Sequence, residues 1–317
     1  MSVLRSSFAI APMMGWSDLF FRCWMRCLFN NVDVYTEMVA VNAICYGDAG
    51  RLLQEDDHRH VVLQVGGSDP KLCKQAAHIA FDQGFRHIDL NVGCPSSRVQ
   101  KGMIGAVLMK YPSVVADCVE AMMSVHRDLT VSVKSRIGVD HQDDESFLVR
   151  FLDEVLATGC KHVTIHARKA WLSGMSPKDN RNIPLLNYQR VYDMKRRYPD
   201  VFMLINGGFN DFLEVKEALN HVDGVMIGRL AIERQRDLVA IARQLGFMQG
   251  TVRDSLTRYQ QYLAGHAYKN QSSLKPLMAL LHGFNGAKSL RSQMAELMRQ
   301  QGGVSQWIDR LKDELPS

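Results

Sequence analysis

The stretch 201–229, VFMLINGGFNDFLEVKEALNHVDGVMIGR, decides the fold. It opens on a short apolar run, Val201–Asn206, breaks at Gly207-Gly208 and crosses an amphipathic segment near 210–220. It closes on a second apolar run, Asp223–Ile227, that ends in Gly228-Arg229. Two β-type runs with a helical segment between them form the repeating unit of a parallel sheet. Six more such runs precede the pair: Phe8–Met13, Val34–Met38, Val61–Val65, His87–Val92, Thr130–Lys134 and His162–His166. Helical segments fill most gaps. Ser17–Phe29 starts on Ser-Asp, Asp69-Pro70 introduces 71–83, Pro112 introduces 113–127, and Asp143-Asp144-Glu145 favours a helix to about 158; another runs near 188–198. Eight strand–helix alternations predict an α/β fold, a (β/α)8 TIM barrel. The GxGxxG signature follows none of the runs, which weakens the rival reading as a doubly wound sheet.

Beyond residue 240 the pattern changes. Segments 251–268, 272–283, 286–300 and 304–315 read as helices, and no strand is evident. The sequence therefore predicts a barrel over 1–240 and a small all-helical domain over 241–317. Charge divides the same way. Residues 1–240 hold 28 Lys/Arg and 28 Asp/Glu, whereas 241–317 hold 10 and 5, so the net +5 sits in the tail. A neutral body with a basic tail suggests a polyanionic partner. With 46% hydrophobic and 22% charged residues, the 317-residue chain is not a disordered one. No window of about 18 uncharged apolar residues occurs, so no membrane span is expected. Seven widely spaced cysteines, an odd number, suggest reduced thiols in the cytoplasm and no metal site.

In such barrels the chemistry lies where strands end. Those ends hold Pro12, Met13 and Met14, then Gln64, Asn91 and Cys94, then Lys134, His166, Asn206-Gly207-Gly208 and Gly228-Arg229. Glycines ahead of helices present bare N–H groups to a phosphate, and Arg229 adds a charged contact. Lys134 is a lone cation at the end of an apolar strand, suited to negative charge near N1 of a flavin. Gln64 and His166 add polar contacts at the same rim. Cys94, between Gly93 and Pro95, can deliver a proton, and Asn91 offers donor and acceptor groups to a base edge.

Together these motifs resemble the tRNA-dihydrouridine synthases, from Ala11 to about Arg291. Tyr35-Thr36-Glu37-Met38, Gln64-Val65-Gly66-Gly67, Asn91-Val92-Gly93-Cys94-Pro95-Ser96 and His166-Ala167-Arg168-Lys169 carry the likeness. The run from His166 to Arg181, with Lys169-Ala170-Trp171-Leu172-Ser173-Gly174 inside it, points to the DusA-type branch, which acts at positions 20 and 20a. The resemblance implies an FMN barrel that NADPH (or NADH) reduces, a helical domain that grips tRNA, and conversion of a D-loop uridine to dihydrouridine. It places the backbone of Pro12, Met13 and Met14 along the flavin, with Gln64, Lys134 and His166 at the ring and ribityl chain. Asn206, Gly207, Gly208, Gly228 and Arg229 fall at the phosphate end. Cys94 matches the proton donor. Asn91, Lys178, Arg181, Lys288 and Arg291 match tRNA-contacting positions. A monomer is the expected state. An FMN barrel acting on a small molecule also explains the barrel, but leaves the basic tail without a role.

Overall fold

The computed structural model describes residues 6–248, 250–265, 270–297 and 303–315. The strands are β1 (Phe8–Ile10), β2 (Asp33–Tyr35), β3 (Val39–Ala40), β4 (Val61–Gly66), β5 (His87–Asn91), β6 (Thr130–Arg136), β7 (His162–His166), β8 (Phe202–Asn206) and β9 (Gly224–Ile227). Every pairing is parallel, and β2 bonds to both β1 and β4, which closes the ring. β3 runs beside the end of β4 and completes the β2 position, so the barrel has the expected eight staves. The expected run Val34–Met38 is therefore broken at Thr36. There the Thr36 hydroxyl, not a backbone carbonyl, accepts the Gln64 N–H at 3.0 Å. β1 stops at Ile10, short of the expected Met13, because Pro12 has no N–H to continue the ladder. β6 instead runs two residues past Lys134, to Arg136.

Helices Leu19–Leu28, Pro70–Asp82, Glu145–Ala157, Tyr188–Arg197 and Phe212–Leu219 each start on an Asp or Asn whose side chain accepts a first-turn backbone N–H. They wrap the barrel, so both faces of its strands are buried. The interior then divides. Ala9, Ala11, Tyr35, Val62, Leu204 and Met226 form an apolar cluster on one side. On the other, β4 to β7 turn the buried polar residues Gln64, Asp89, Ser132 and Thr164 inward.

The expected change at residue 240 falls inside helix Gln235–Gln244, which packs on Phe212–Leu219 as the last barrel helix. A new run begins at Thr251, the cap of Val252–Ala264. Asn270–Leu274, the 3-10 segment Lys275–Leu281, Ala287–Leu297 and Gly303–Glu314 follow. The expected helix ends at 266–268 and 298–300 lie outside the described residues. This helical region shares the barrel's core. Trp24 meets Tyr259 edge-on at 5.5 Å and donates its indole N–H to Gln235 at 3.0 Å. Gln235 in turn donates to the Pro276 carbonyl at 2.8 Å.

Candidate active site

A cleft of about 720 Å³ opens at the C-terminal ends of the strands. Pro12, Met13, Met14, Gln64, Asn91, Cys94, Lys134, His166, Arg181, Asn206, Gly207, Gly208, Gly228 and Arg229 all line it. Thus one surface gathers the candidates from seven strand ends and from the 169–187 loop. A smaller hollow of about 240 Å³ adjoins it between Asn206–Asn210 and Gly228–Arg234. Its walls are the two glycine motifs that the sequence assigns to a phosphate. Gly207 has φ +123°, and a Cβ there would stand 2.6 Å from the His166 ring, so only glycine leaves room for the imidazole.

Lys134 crosses the floor of the cleft and donates to Asn206 Oδ1 at 3.1 Å. Asn206 also donates to the Met226 carbonyl at 2.8 Å. Its carboxamide therefore orients Lys134 and joins two strand ends at the edge of the smaller hollow. Burial lowers the Lys134 ammonium to about 8, while the Asp89 charge below pulls it up. Burial, and then the charges of Arg136, Lys134, Arg168 and Arg229, hold the His166 imidazole well below its ordinary value. His166 is therefore a neutral hydrogen-bonding group at pH 7.

The Cys94 loop is held from three sides. From below, Asn91 Oδ1 accepts the backbone N–H of Gly93 at 3.1 Å and of Cys94 at 3.0 Å. Asn91 Nδ2 donates to Gln64 Oε1 at 2.8 Å. The Asn91 carboxamide is thus largely engaged within the protein, where the sequence suggests a base-reading group. From one side, the Cys94 carbonyl accepts the Ala106 N–H at 2.8 Å. From the other, Arg136 Nε donates to the Gly93 carbonyl at 2.9 Å. Arg136 is buried and reaches on to the Lys169 and Asn180 carbonyls, both at 3.0 Å, so it couples the Cys94 loop to the 169–187 loop. Asn180 is fully buried and fastens that second loop to the backbone of Trp171 through two hydrogen bonds of 2.7 and 2.9 Å.

Sequence reasoning reaches Arg136 only as a strand-end candidate without a role, and misses Asn180 and Asp89. Arg136 has a visible signal: it stands two residues beyond Lys134 and so shares its face of the strand. Asn180 has none, because its role depends on a loop conformation.

Lys178 and Arg181 both stand on the 169–187 loop; only Arg181 faces the cleft, and Lys178 is exposed beside it. Lys288 and Arg291 lie exposed on helix Ala287–Leu297, on either side of the buried Leu290, and do not line the cleft. The link from the helical region to the cleft is Lys275. Its ammonium lies 4.3 Å from the centre of the Trp16 ring and donates to the Gly15 carbonyl.

A closed (β/α)8 barrel whose strand ends join a glycine-walled hollow, an ammonium and a loop-borne thiol has the form of a barrel oxidoreductase. Residues 9–314 match the dihydrouridine synthase (Dus) family, and the chain belongs to it. Among its relatives is the tRNA-dihydrouridine(20/20a) synthase of Salmonella typhimurium, 43% identical over 91% of this chain and 89% of that protein. The enzyme of the same name from Shewanella oneidensis is 40% identical over 94% and 91%. In fold, the chain is similar to the crystal structure of TcOYE with pHBA. The TM-score is 0.53, with 80% of this chain and 93% of that one covered at 11% identity.

Proposed function

We propose that this protein reduces a D-loop uridine of tRNA, at position 20 or 20a, to 5,6-dihydrouridine, with FMN as resident cofactor and NADPH as reductant. The observation that carries this is the meeting, in one cleft, of the glycine-walled hollow, Lys134 and the Cys94 loop. The residues fit FMN. Gly207, Gly208, Gly228 and Arg229 surround a hollow of about 240 Å³ suited to its phosphate, and Arg168, whose charge acts on Arg229, has its Nε buried with no partner among the described residues. Gln64, Lys134 and His166 line the larger cleft, where a ring system would lie. When bound, FMN supplies the hydride for uracil C6, and NADPH restores it.

The remaining chemistry belongs to the chain. The target base is drawn out of the tRNA loop into the cleft. Lys134 holds negative charge on the ring system. The Cys94 thiol gives its proton to uracil C5, which completes the addition across the C5–C6 bond. Arg181 at the cleft and Lys178 on the exposed loop beside it meet the tRNA backbone, and Lys288 and Arg291 meet it on the helical region. The reading takes the protein as a monomer and places it in the cytoplasm, where seven widely spaced cysteines stay reduced. The test is nucleoside mass spectrometry, mapped by position, of tRNA from cells lacking the protein. Dihydrouridine lost at 20 and 20a alone supports the reading. Loss elsewhere changes the site, and no loss in cells without a redundant enzyme favours a small-molecule substrate.

A further inference from the structure

A buried carboxylate lies beneath the site, and the proposed chemistry does not use it. Asp89 stands in the middle of β5, fully buried, between Gln64 of β4 and Ser132 of β6 in register. Its Oδ2 accepts from Gln64 Nε2 at 2.8 Å and its Oδ1 from Ser132 Oγ at 2.7 Å. The Ser132 hydroxyl also lies 3.0 Å from His87 Nε2, at the start of β5. Above it, Gln64 Oε1 accepts from Asn91, and Asn91 accepts both loop N–H groups. A single chain of hydrogen bonds therefore runs from the barrel interior to the backbone of Cys94.

The chain has a direction. A carboxamide turned by 180° keeps its shape but exchanges donor and acceptor. Only the oxygen edge of Asn91 can meet two backbone N–H groups. Its nitrogen edge then faces Gln64 and needs an acceptor, which fixes the Gln64 oxygen toward it. The Gln64 nitrogen then faces the interior, where it needs an acceptor in turn. An ionised carboxylate accepts only, so it admits one orientation of Gln64 and hence one of Asn91. We infer that Asp89 is a positioning residue that, through Gln64 and Asn91, fixes the backbone carrying the Cys94 thiol.

Burial raises the Asp89 carboxyl well above its ordinary value, while the Gln64 and Ser132 donors and the Lys134 ammonium draw it down. Tyr35 also faces it from β2. So costly a carboxylate is accounted for if the chain of amides requires an acceptor at this buried point.

The inference rests on the role proposed for Cys94, and the test separates the two. Hydrogen–deuterium exchange at the Gly93 and Cys94 amides is measured in the FMN-bound protein, beside the rates of uridine reduction and of NADPH oxidation. Asp89→Leu removes the acceptor at similar volume. Exchange at those two amides should rise about tenfold and uridine reduction should fall about tenfold, with flavin reduction by NADPH kept. Asp89→Asn should restore both. Its oxygen can still accept from Gln64 while its nitrogen donates to Ser132, whose hydroxyl turns toward His87. Gln64→Leu breaks the chain one link higher and should speed the same exchange, which keeps the test decisive if Asp89→Leu fails to fold. Unchanged exchange in Gln64→Leu, or an Asp89→Asn protein as impaired as a folded Asp89→Leu, overturns the inference. Faster exchange with undiminished uridine reduction supports the chain and removes Cys94 from the chemistry.

Discussion

Replacing Lys134 by Met should stabilise the protein stripped of cofactor and weaken it when cofactor is bound. Burial brings the Lys134 ammonium from 10.5 to about 8, although Asp89 opposes the change. A displacement of that size corresponds to about 3 kcal/mol against the folded state at neutral pH. The ammonium borders the open cleft, where water screens part of the cost, so about 2 kcal/mol is the better figure. Met keeps the length of the side chain but gives up the bond to Asn206, worth about 1 kcal/mol. The net gain is about 1 kcal/mol, or roughly 2 °C in Tm for a chain of this size. The sign follows from linkage. A lysine whose folded value is lowered penalises the native state fully below about 8, and the penalty fades up to 10.5, as the unfolded chain also loses the proton. The variant's advantage should therefore be present at pH 7 and gone near pH 10.5. Urea unfolding of stripped protein at the two pH values measures it. Repeating the measurement with excess FMN should reverse the order, because the wild type gains more from an anionic ligand. A stripped Lys134→Met protein less stable than wild type at pH 7, with no change in that difference at high pH, would refute the reasoning.

Three further outcomes are expected. Cys94→Ala should slow uridine reduction by about 10²–10⁴-fold while NADPH still reduces the flavin in a stopped-flow trace; equal loss of both half-reactions removes the thiol from its role. Gly105→Ala should disturb the Cys94 loop, since Gly105 has φ +83° and an added Cβ would stand 2.4 Å from the Cys94 carbonyl oxygen. A loss of about 1–3 kcal/mol in urea unfolding, with slower uridine reduction, is expected, and wild-type values in both would contradict it. Lys288→Ala with Arg291→Ala should lower the slope of log affinity for tRNA against log salt by about 1–2, each phosphate contact supplying roughly 0.7–0.9; an unchanged slope would remove this helix from the interface.

The strands were legible because each apolar run is short and bounded, and because the closed ring accepts one stave from each. The break in the second stave was not legible, since it turns on a Thr36 hydroxyl that replaces one rung of the ladder. Charge and helical periodicity change near 240, yet Leu238, Val239, Ile241 and Ala242 are all buried on the last barrel helix. The rim of the site could be read from residue types at strand ends. The layer beneath it could not, although β5 and the residue after it show strict alternation: His87, Asp89 and Asn91 against Ile88, Leu90 and Val92. In an open sheet the polar members of such a pattern face water. Here helices cover the outside, the apolar members meet them, and the polar members point into the barrel.

This inversion explains how the site is charged. The walls of the cleft present Arg98, Lys134, Arg136, Arg181 and Arg229 against the single acid Glu233. Arg168 adds to them, since its charge lowers His166 and Arg136. Such a cluster is costly in an empty cleft, because its members repel and water reaches them only partly. Asp89 sits too deep, and is too fully engaged by Gln64 and Ser132, to neutralise more than Lys134 above it. Phosphate at the glycine-walled hollow, negative charge on a ring at Lys134 and the backbone of a polyanion at Arg181 would each supply part of the missing charge. The cost is then removed only when all three are in place. Under the proposed function, the cleft is therefore most stable with both cofactor and nucleic acid bound, the state in which that function calls on the Cys94 proton.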